Sequence, residues 1–404
     1  MAFDVRACED LDEFDQVFLS IGQYFGAEPN AERAERWSRC LPLDRTLAAR
    51  EDGAIVGGAG SFPFSMTVPG ATVPCAGVTI VGVYPTHRRR GVLSAMMRNQ
   101  LDDVRERGEP IAALWASEER IYTRYGYGLA SLVGETKLLR AHSAYALPFE
   151  PQGRVRIVGA DEAKTLLPPV YGRWQAQTAG AFERTDDWWE TRVLDDPPDR
   201  RQGRGPKRFV VVEVDGEPTA YAIYRHAPKW EEMVSKSVLV VGEAVGTDGD
   251  ALATIWRYLL DVDWTETVEG YLLPIDHPLF LLLAEPRRLR YRVGDGLWVR
   301  LVDVGAALSA RGYAADGRVV FEVEDAFLSD NAGRWKLEGG AASRTDEEPD
   351  IRLDVRDLGS AYLGGVTFAA LQRALRIEEL REGAIARADA IFRTDRAPWC
   401  PEIF

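Results

Sequence analysis

Apolar positions return every three or four residues through Leu11, Phe14, Val17, Phe18, Ile21, Tyr24 and Phe25, which predicts one amphipathic helix over 11–25. A second helix is expected over 31–40, carrying Trp37. The pattern then changes to strands at 46–51 and 54–64, joined by Asp52-Gly53, a dipeptide suited to a tight hairpin. The apolar run Val78–Val83 reads as a buried strand that breaks at Pro85. Helical spacing resumes with Val92, Leu93, Met96, Met97, Gln100 and Leu101. Gly108-Glu109-Pro110 stops that helix, 111–116 is a short buried strand, and a segment rich in tyrosine and glycine (117–128) leads into a strand ending at Leu139.

The same order is repeated further on. A hairpin is expected over 209–214 and 219–225 with Asp215-Gly216 at its turn, then a buried strand at 238–245. A helix over 251–260 groups Leu252, Ile255, Trp256 and Leu259, and a strand follows at 269–273. This suggests a duplicated fold, although hairpin, strand and helix also follow one another in unrelated α/β proteins. After Arg290 the pattern shifts to strands at 297–302, 319–323, 334–337 and 351–355 and helices at 357–363 and 367–375, with a polar loop at 339–349. That reads as a separate α+β domain. The last residues, Ala397-Pro398-Trp399-Cys400-Pro401-Glu402-Ile403-Phe404, are aromatic and braced by two prolines. Most chain ends are polar and frayed, so this one is expected to dock.

The chain has 404 residues, enough for two or three domains, and 46% hydrophobic residues, enough for sizeable cores. A net charge of −14 disfavours nucleic acid as a partner and suits a cationic substrate. The four cysteines are scattered and only four histidines are present, which points away from a disulfide framework and from a metal site. The opening residues do not read as a signal peptide, and the longest apolar stretch, 279–284, is too short to span a bilayer. The reading is a reduced, cytoplasmic protein with no membrane partner.

The candidate chemistry begins at Arg88-Arg89-Arg90-Gly91, where a strand feeds a helix. Free N–H groups and the dipole at a helix start attract anions, and arginines can fork onto phosphate oxygens. Gly91 would let a ligand approach the backbone. The corner therefore reads as a pyrophosphate cradle, against the alternative of three merely solvated arginines. It is not a P-loop, since no Gly-Lys-Ser/Thr follows, nor a three-glycine dinucleotide fingerprint. The echo at 246–251 reads Gly-Thr-Asp-Gly-Asp-Ala, and two carboxylates there would repel a pyrophosphate.

The corner resembles the acyl-coenzyme A loop of the GNAT N-acetyltransferases, Arg/Gln-x-x-Gly-x-Gly/Ala, with Leu93 where the second small residue is usual. A more specific resemblance covers the whole chain, carried by Val83-Tyr84-Pro85-Thr86-His87-Arg88-Arg89-Arg90-Gly91, by Ser117-Glu118, and by Ile121-Tyr122-x-Arg124-Tyr125-Gly126-Tyr127-Gly128. Asp295-Gly296-Leu297-Trp298-Val299-Arg300, Ala310-Arg311-Gly312-Tyr313 and the aromatic terminus complete it. On these residues the chain resembles the enhanced intracellular survival (Eis) family of N-acetyltransferases.

That resemblance implies an α+β architecture: an acetyl-CoA-binding GNAT domain (1–145), a degenerate GNAT-like domain (146–292) and a sterol-carrier-protein-like domain (293–404). It implies acetyl-CoA as co-substrate without a metal, broad amine acceptors (aminoglycosides, polyamines, lysine side chains) and a homohexamer built as a trimer of dimers. Val81, Gly82 and Val83 would offer backbone groups to the pantetheine arm. Arg89, Arg90, Gly91, Val92, Leu93 and Ser94 would hold the pyrophosphate, with Ser117 and Glu118 at the reactive end. Gly82 between two valines suits a bulged strand, or simple close packing.

Tyr122 matches the general acid and the Phe404 carboxylate the general base. A tyrosine, near pKa 10 in reference conditions, can protonate a thiolate whose thiol sits at about 8.5; a core tyrosine is the alternative. Tyr125 and Tyr127 read as core or turn residues. A terminal carboxylate, at roughly 3.5, is a weak base in water, which burial among Trp399, Ile403 and Phe404 would strengthen. Glu118 and Glu402 are the competing bases. Phe25, Trp37 and Phe64 are expected to wall the acceptor pocket. Two other functions remain open at this level: a lipid or small-molecule carrier on a non-catalytic scaffold, and a dedicated protein-lysine acetyltransferase.

Overall fold

The computed structural model describes residues 3–404; Met1 and Ala2, the start of the opening segment read above, lie outside them. The described chain divides into two compact units. One takes the residues up to Ser131, Gly296–Asp395 and Ile403–Phe404; the other takes Leu132–Asp295 and Arg396–Glu402.

The first unit opens with strand β1 (Asp4–Ala7) and helix α1 (Leu11–Gly22). Asp10 caps α1 by accepting from Glu13 N at 2.9 Å, and Glu13 answers by accepting from Glu9 N, also at 2.9 Å. The first bond satisfies an otherwise orphaned donor of the helix start, and the second ties the residue before the cap to the first turn. The α-helix is shorter than the periodicity predicts. It yields to a 3₁₀ turn, Gln23–Phe25, closed by Gly26 at φ 72°. Tightening the last turn rotates Tyr24 and Phe25 off the buried stripe, and both are exposed. Helix α2 (Ala31–Ser38) starts at its cap Asn30.

Strands β2 (Thr46–Glu51), β3 (Ala54–Val68), β4 (Ala71–Val83), β5 (Ile111–Trp115) and β6 (Gly128–Leu129) follow, with α3 (Val92–Glu106) between β4 and β5 and the short α4 (Glu119–Tyr122) after β5. Asp52 and Gly53 turn the β2–β3 hairpin at φ 51° and 82°, as the dipeptide predicts. Helix α3 buries Val92, Met96, Met97, Gln100 and Leu101 as its spacing predicts and adds Val104, while Leu93 of the expected stripe is half-buried.

In the second unit, β7 (Leu132–Leu139), β8 (Arg154–Val158), α5 (Ala160–Gln175), a short α6 (Asp186–Trp188), β9 (Arg208–Val214) and β10 (Glu217–Ala227) precede a small hairpin, β11 (Trp230–Glu231) with β12 (Val234–Ser235). Then come β13 (Ser237–Gly246), α7 (Gly249–Asp261), β14 (Thr265–Pro274) and β15 (Arg292–Asp295). The seven-stranded sheet runs β15-β7-β14-β13-β10-β9-β8.

The seven-stranded sheet of the first unit runs β1-β2-β3-β4-β5-β16-β6, where β16 is Leu297–Leu301. The two orders match strand for strand: β1 to β5 correspond to β8, β9, β10, β13 and β14. The strand beyond each fifth position breaks the sequence order and corrects two expectations. Leu132–Leu139, read as the last strand of the first domain, pairs with β14 in the second sheet. Leu297–Leu301, read with the C-terminal domain, pairs with β5 along its whole length. Pairing partners of a strand are set by its edges, which the hydrophobic pattern of the strand itself does not encode.

The remaining sheet, β19-β18-β17-β20-β21, joins β17 (Arg318–Glu324), β18 (Gly333–Glu338), β19 (Ala341–Arg344), β20 (Ile351–Asp354) and β21 (Ile377–Glu379). Part of the loop expected at 339–349 is therefore a strand. Gly339 and Gly340 turn at φ 59° and 78°, and Ala341–Arg344 pairs as an edge of small or polar residues with no apolar alternation to betray it. The helix expected from Asp357 begins earlier, at Val355, because Asp354 caps it.

Candidate active site

Strand β4 builds the site by losing its partner. It pairs with β5 only over Cys75–Gly77, while its pairing with β3 continues to Val83. From Val78 onward the edge that faced β5 is bare, and a ligand can use its backbone groups. Gly58 faces Gly82 and Gly60 faces Thr79, so Ile80 and Val81 together oppose Ala59. This is the expected bulge, placed just before Gly82, with Ile80 at φ 46°. Gly82 serves the other purpose weighed for it. A Cβ there would lie 2.6 Å from Ile21 N, so only glycine lets α1 pack against the strand.

Beyond Val83 the chain makes a 3₁₀ turn (Pro85–His87), then Arg88 extends and Arg89 takes φ 61°. Gly91, at φ 91°, stands before α3 and no side chain caps that helix. A Cβ on Gly91 would meet no protein atom within 4 Å, so what the fold itself asks of this glycine is its left-handed backbone. The first N–H groups of α3 are thus presented uncapped, beside Arg88 and Arg89, to a cavity of about 330 Å³. Val81, Gly82, Val83, Gly91, Val92, Leu93, Ser94, Ser117, Glu118 and Tyr122 all line it. Arg90 does not: its guanidinium holds Glu51, Nη1 to Oε2 at 2.9 Å. Arg88 lines it as part of the arginine corner, and Ile21 and Tyr24 line it without having been assigned to it. Arg88 lies over the Tyr24 ring at 4.7 Å, and Tyr24 Oη donates to Val83 O at 3.0 Å. Arg88 stood in the motif, and Ile21 and Tyr24 stood on a helical stripe, where nothing marks which residue of a stripe turns to a cavity.

Tyr122 closes α4 and is buried. Its phenol is pushed up to about 12, first by burial and then by the neighbouring Tyr125 and Glu118. Its hydroxyl has no hydrogen-bond partner among the described residues, so it is available to a ligand. Tyr125, read as a core or turn residue, also reaches the cavity and exchanges a hydrogen bond with Ser94 Oγ at 3.1 Å. Tyr127 is fully sealed, and burial drives its phenol far up.

A second cavity, of about 290 Å³, is lined by Phe25, Trp37, Trp115, Tyr122 and Phe404. Ile21, Val81, Ser117 and Tyr122 line both cavities, so the two adjoin at the phenol. Phe404 is buried, its ring edge-on to Phe64 at 4.8 Å and to Phe62 at 6.4 Å. Phe64 supports Phe404 from behind and is not among the lining residues. Ile403 is 58% exposed, so it does not bury the terminus as expected. Glu402 is occupied elsewhere: it pairs with Arg184 and accepts from Trp188 Nε1 at 2.7 Å. Glu118 lines only the first cavity.

Among the described residues, no group of three or more His, Cys, Asp or Glu is arranged to hold a metal ion, and no helix is long and apolar enough to cross a membrane. Models of the acetyltransferase (GNAT) domain match residues 4–130 and 180–301, and a sterol carrier protein domain matches 304–401. The fold is thus tandem GNAT domains followed by a sterol-carrier-protein-like domain. A Streptomyces avermitilis protein described as an uncharacterized N-acetyltransferase is 42% identical over the full length of both chains. The N-acetyltransferase Eis of Mycobacterium tuberculosis is 32% identical, covering 95% of each chain. The crystal structure of Eis1 from Mycobacterium abscessus superposes with a TM-score of 0.87 at 34% identity, over 99% of this chain and 100% of that one. A bare strand edge, an uncapped helix start flanked by arginines and full-length likeness to these proteins agree: the chain belongs to the Eis family of GNAT acetyltransferases and is an acetyl-CoA-dependent enzyme that acetylates amines.

Proposed function

We propose that the larger cavity takes acetyl-CoA and the adjoining one takes the amine, with Tyr122 as general acid and the Phe404 carboxylate as general base. The thioester supplies the activated acetyl group. The backbone of Val81–Val83 then pairs with the pantetheine arm, while Arg88, Arg89 and the N–H groups of Val92, Leu93 and Ser94 hold the pyrophosphate. Ser117 and Glu118 flank the reactive end. Arg90 supports the loop through Glu51 instead of touching the ligand.

At the junction Tyr122 Oη donates toward the departing sulfur, and its proton remains in place at neutral pH because burial raises its pKa. On the other side the terminal carboxylate attracts the cationic acceptor and takes up its proton, directly or through a water. Phe25 and Trp37 wall the acceptor, and Phe64 holds the Phe404 ring. The observation that carries this reading is that Tyr122 and Phe404 line one cavity, and Tyr122 also lines the other.

A cavity of this size with an exposed Phe25 at its wall suits several primary amines: aminoglycosides, polyamines and lysine side chains. Thiol release from acetyl-CoA, followed across such a panel, tests the assignment; turnover with only one lysine peptide sequence would replace it with a dedicated protein acetyltransferase. The family resemblance also supports a cytoplasmic homohexamer, a trimer of dimers, which sedimentation velocity checks.

A further inference from the structure

The second unit contains the same cleft, part for part. In the first, the end of β4, the start of α3, the end of α1 and the segment after β5 surround the cavity. In the second, the end of β13, the start of α7, Trp174 at the end of α5, and the segment after β14 surround one of about 220 Å³. The central strands part here too, since β13 and β14 pair as far as Val241 and Gly270 and no further.

Two differences decide what the second cleft holds. Helix α7 is capped from within: Asp248 Oδ1 accepts from Ala251 N at 2.9 Å, so a carboxylate already occupies the place of an anion. The chain's own Arg396, Ala397 and Trp399 form one wall of this cleft. Ala397 N donates to Asp276 Oδ2 at 2.8 Å, and Trp399 N donates to Ala179 O at 2.8 Å. The Trp399 indole donates to Leu272 O. That carbonyl sits in a bulge between Gly270 and Leu273, with Leu272 at φ 51°. The ring of Trp399 stands edge-on to Trp174 at 4.9 Å. Further along, Glu402 is fixed by Arg184 and Trp188, and Arg184 in turn by Glu243 at 3.0 Å.

We propose that the second acetyltransferase domain anchors the C-terminal segment along one wall of its cleft, and that Trp399 is the positioning residue that fixes where the terminal carboxylate lies. The tail bonds to β14 through Leu272 O, to the Asp276 side chain after it and to Ala179 O after α5, and these bonds leave the edge of β13 alone. Only Ile403 separates the docked stretch from Phe404, so a short, proline-braced tether carries the constraint. The positioning role rests on the proposed use of the Phe404 carboxylate; the docking does not.

The test uses the full-length chain with Trp399→Ala, Trp399→Phe and the surface variant Asp276→Ala, which keeps the experiment interpretable if loss of the tryptophan impairs folding. Release of Phe404 by carboxypeptidase reads docking directly. It should rise about tenfold or more in Trp399→Ala and less in the other two, because cleavage requires local opening. Turnover should fall about tenfold or more in Trp399→Ala, with KM for acetyl-CoA unchanged and partial recovery in Trp399→Phe, since small misplacements of a reacting group are costly. Calorimetric titration with coenzyme A should give one site per chain. Unchanged release in all three variants, or a second coenzyme site, would overturn the docking. Faster release with unchanged turnover would overturn the positioning role; if deleting Phe404 also leaves turnover unchanged, the carboxylate itself drops out of the reaction.

Discussion

Replacing Tyr122 by phenylalanine removes one oxygen atom and tests the centre of the proposed chemistry. The hydroxyl has no partner among the described residues, so its loss breaks no internal hydrogen bond, and the buried ring against Tyr127 stays in place at 6.0 Å. Stability should change by less than about 1 kcal/mol, since an unpaired buried hydroxyl contributes little to the fold. The catalytic effect is set by the phenol's environment. Burial raises it to about 12, against about 8.5 for a thiol, so complete proton transfer from phenol to free thiolate would climb about 5 kcal/mol. The phenol therefore acts mainly as a hydrogen-bond donor to charge growing on sulfur. Its contribution belongs at the lower end of the usual range for acid catalysis, about 10²-fold in kcat, with KM for acetyl-CoA nearly unchanged.

The assay is thiol release under saturating acetyl-CoA, repeated from pH 6 to 10. Because the folded value of Tyr122 lies above the ordinary one, the proton is retained, and the stability it confers is lost only as pH rises toward 12. No falling limb from Tyr122 should therefore appear below about pH 10, and the rate should climb as the acceptor amine loses its proton, near 10.4 for a lysine. Turnover of the variant within about threefold of the parent would refute the reasoning. So would a falling limb between pH 8 and 10 that vanishes in the variant.

Arg89→Ala should raise KM for acetyl-CoA about tenfold, as for loss of one charge-assisted phosphate contact, while Arg90→Ala should change it little and cost at most about 1 kcal/mol through Glu51; steady-state kinetics and thermal melts separate them. Gly82→Ala forces a methyl to 2.6 Å from the backbone of α1 and should destabilise by about 1–3 kcal/mol in denaturant titration. Gly91→Ala meets open space and should cost only about 1 kcal/mol for its left-handed backbone, yet weaken coenzyme binding by tilting the helix start. Extending the chain beyond Phe404 by two glycines moves the free acid and should cut turnover about as far as deleting Phe404, by about 10²-fold or more, with coenzyme affinity retained in calorimetry.

Residues that act through their own backbone were the most legible. Asp52-Gly53 and Asp215-Gly216 declared their turns, and the arginine corner declared itself through a glycine that must take φ 91°. Helix faces could be read because periodicity records burial directly. Strand partners could not, since β7 and β16 would carry the same alternation in either sheet. The site was partly hidden for the same reason. Ile21 and Tyr24 look like any other members of a stripe, and only the 3₁₀ turn after Gly22 sends Tyr24 to Val83. Arg89 and Arg90 are equivalent in a motif, but the distant Glu51 claims one of them.

The two acetyltransferase domains share a strand order but differ in charge at the corresponding helix start. Both keep the parted strands and the helix that starts beside them, so architecture alone cannot say which binds a coenzyme. Electrostatics can. At the first helix start the donors are uncapped, no acidic side chain lies in the first turn, and Arg88 and Arg89 face the cavity. At the second, Asp248 consumes a donor and Asp250 follows in the first turn. Asp248 is exposed, so solvent screens its repulsion of a phosphate to about 1 kcal/mol or less. Asp248 lines this cleft, Asp250 does not, and Arg396 lines it as well, so the contrast with the first domain rests on the cap that Asp248 already fills. With its cap filled by Asp248, the second helix start is a poorer anion site than the first, and beside it Leu272 O accepts from the Trp399 indole.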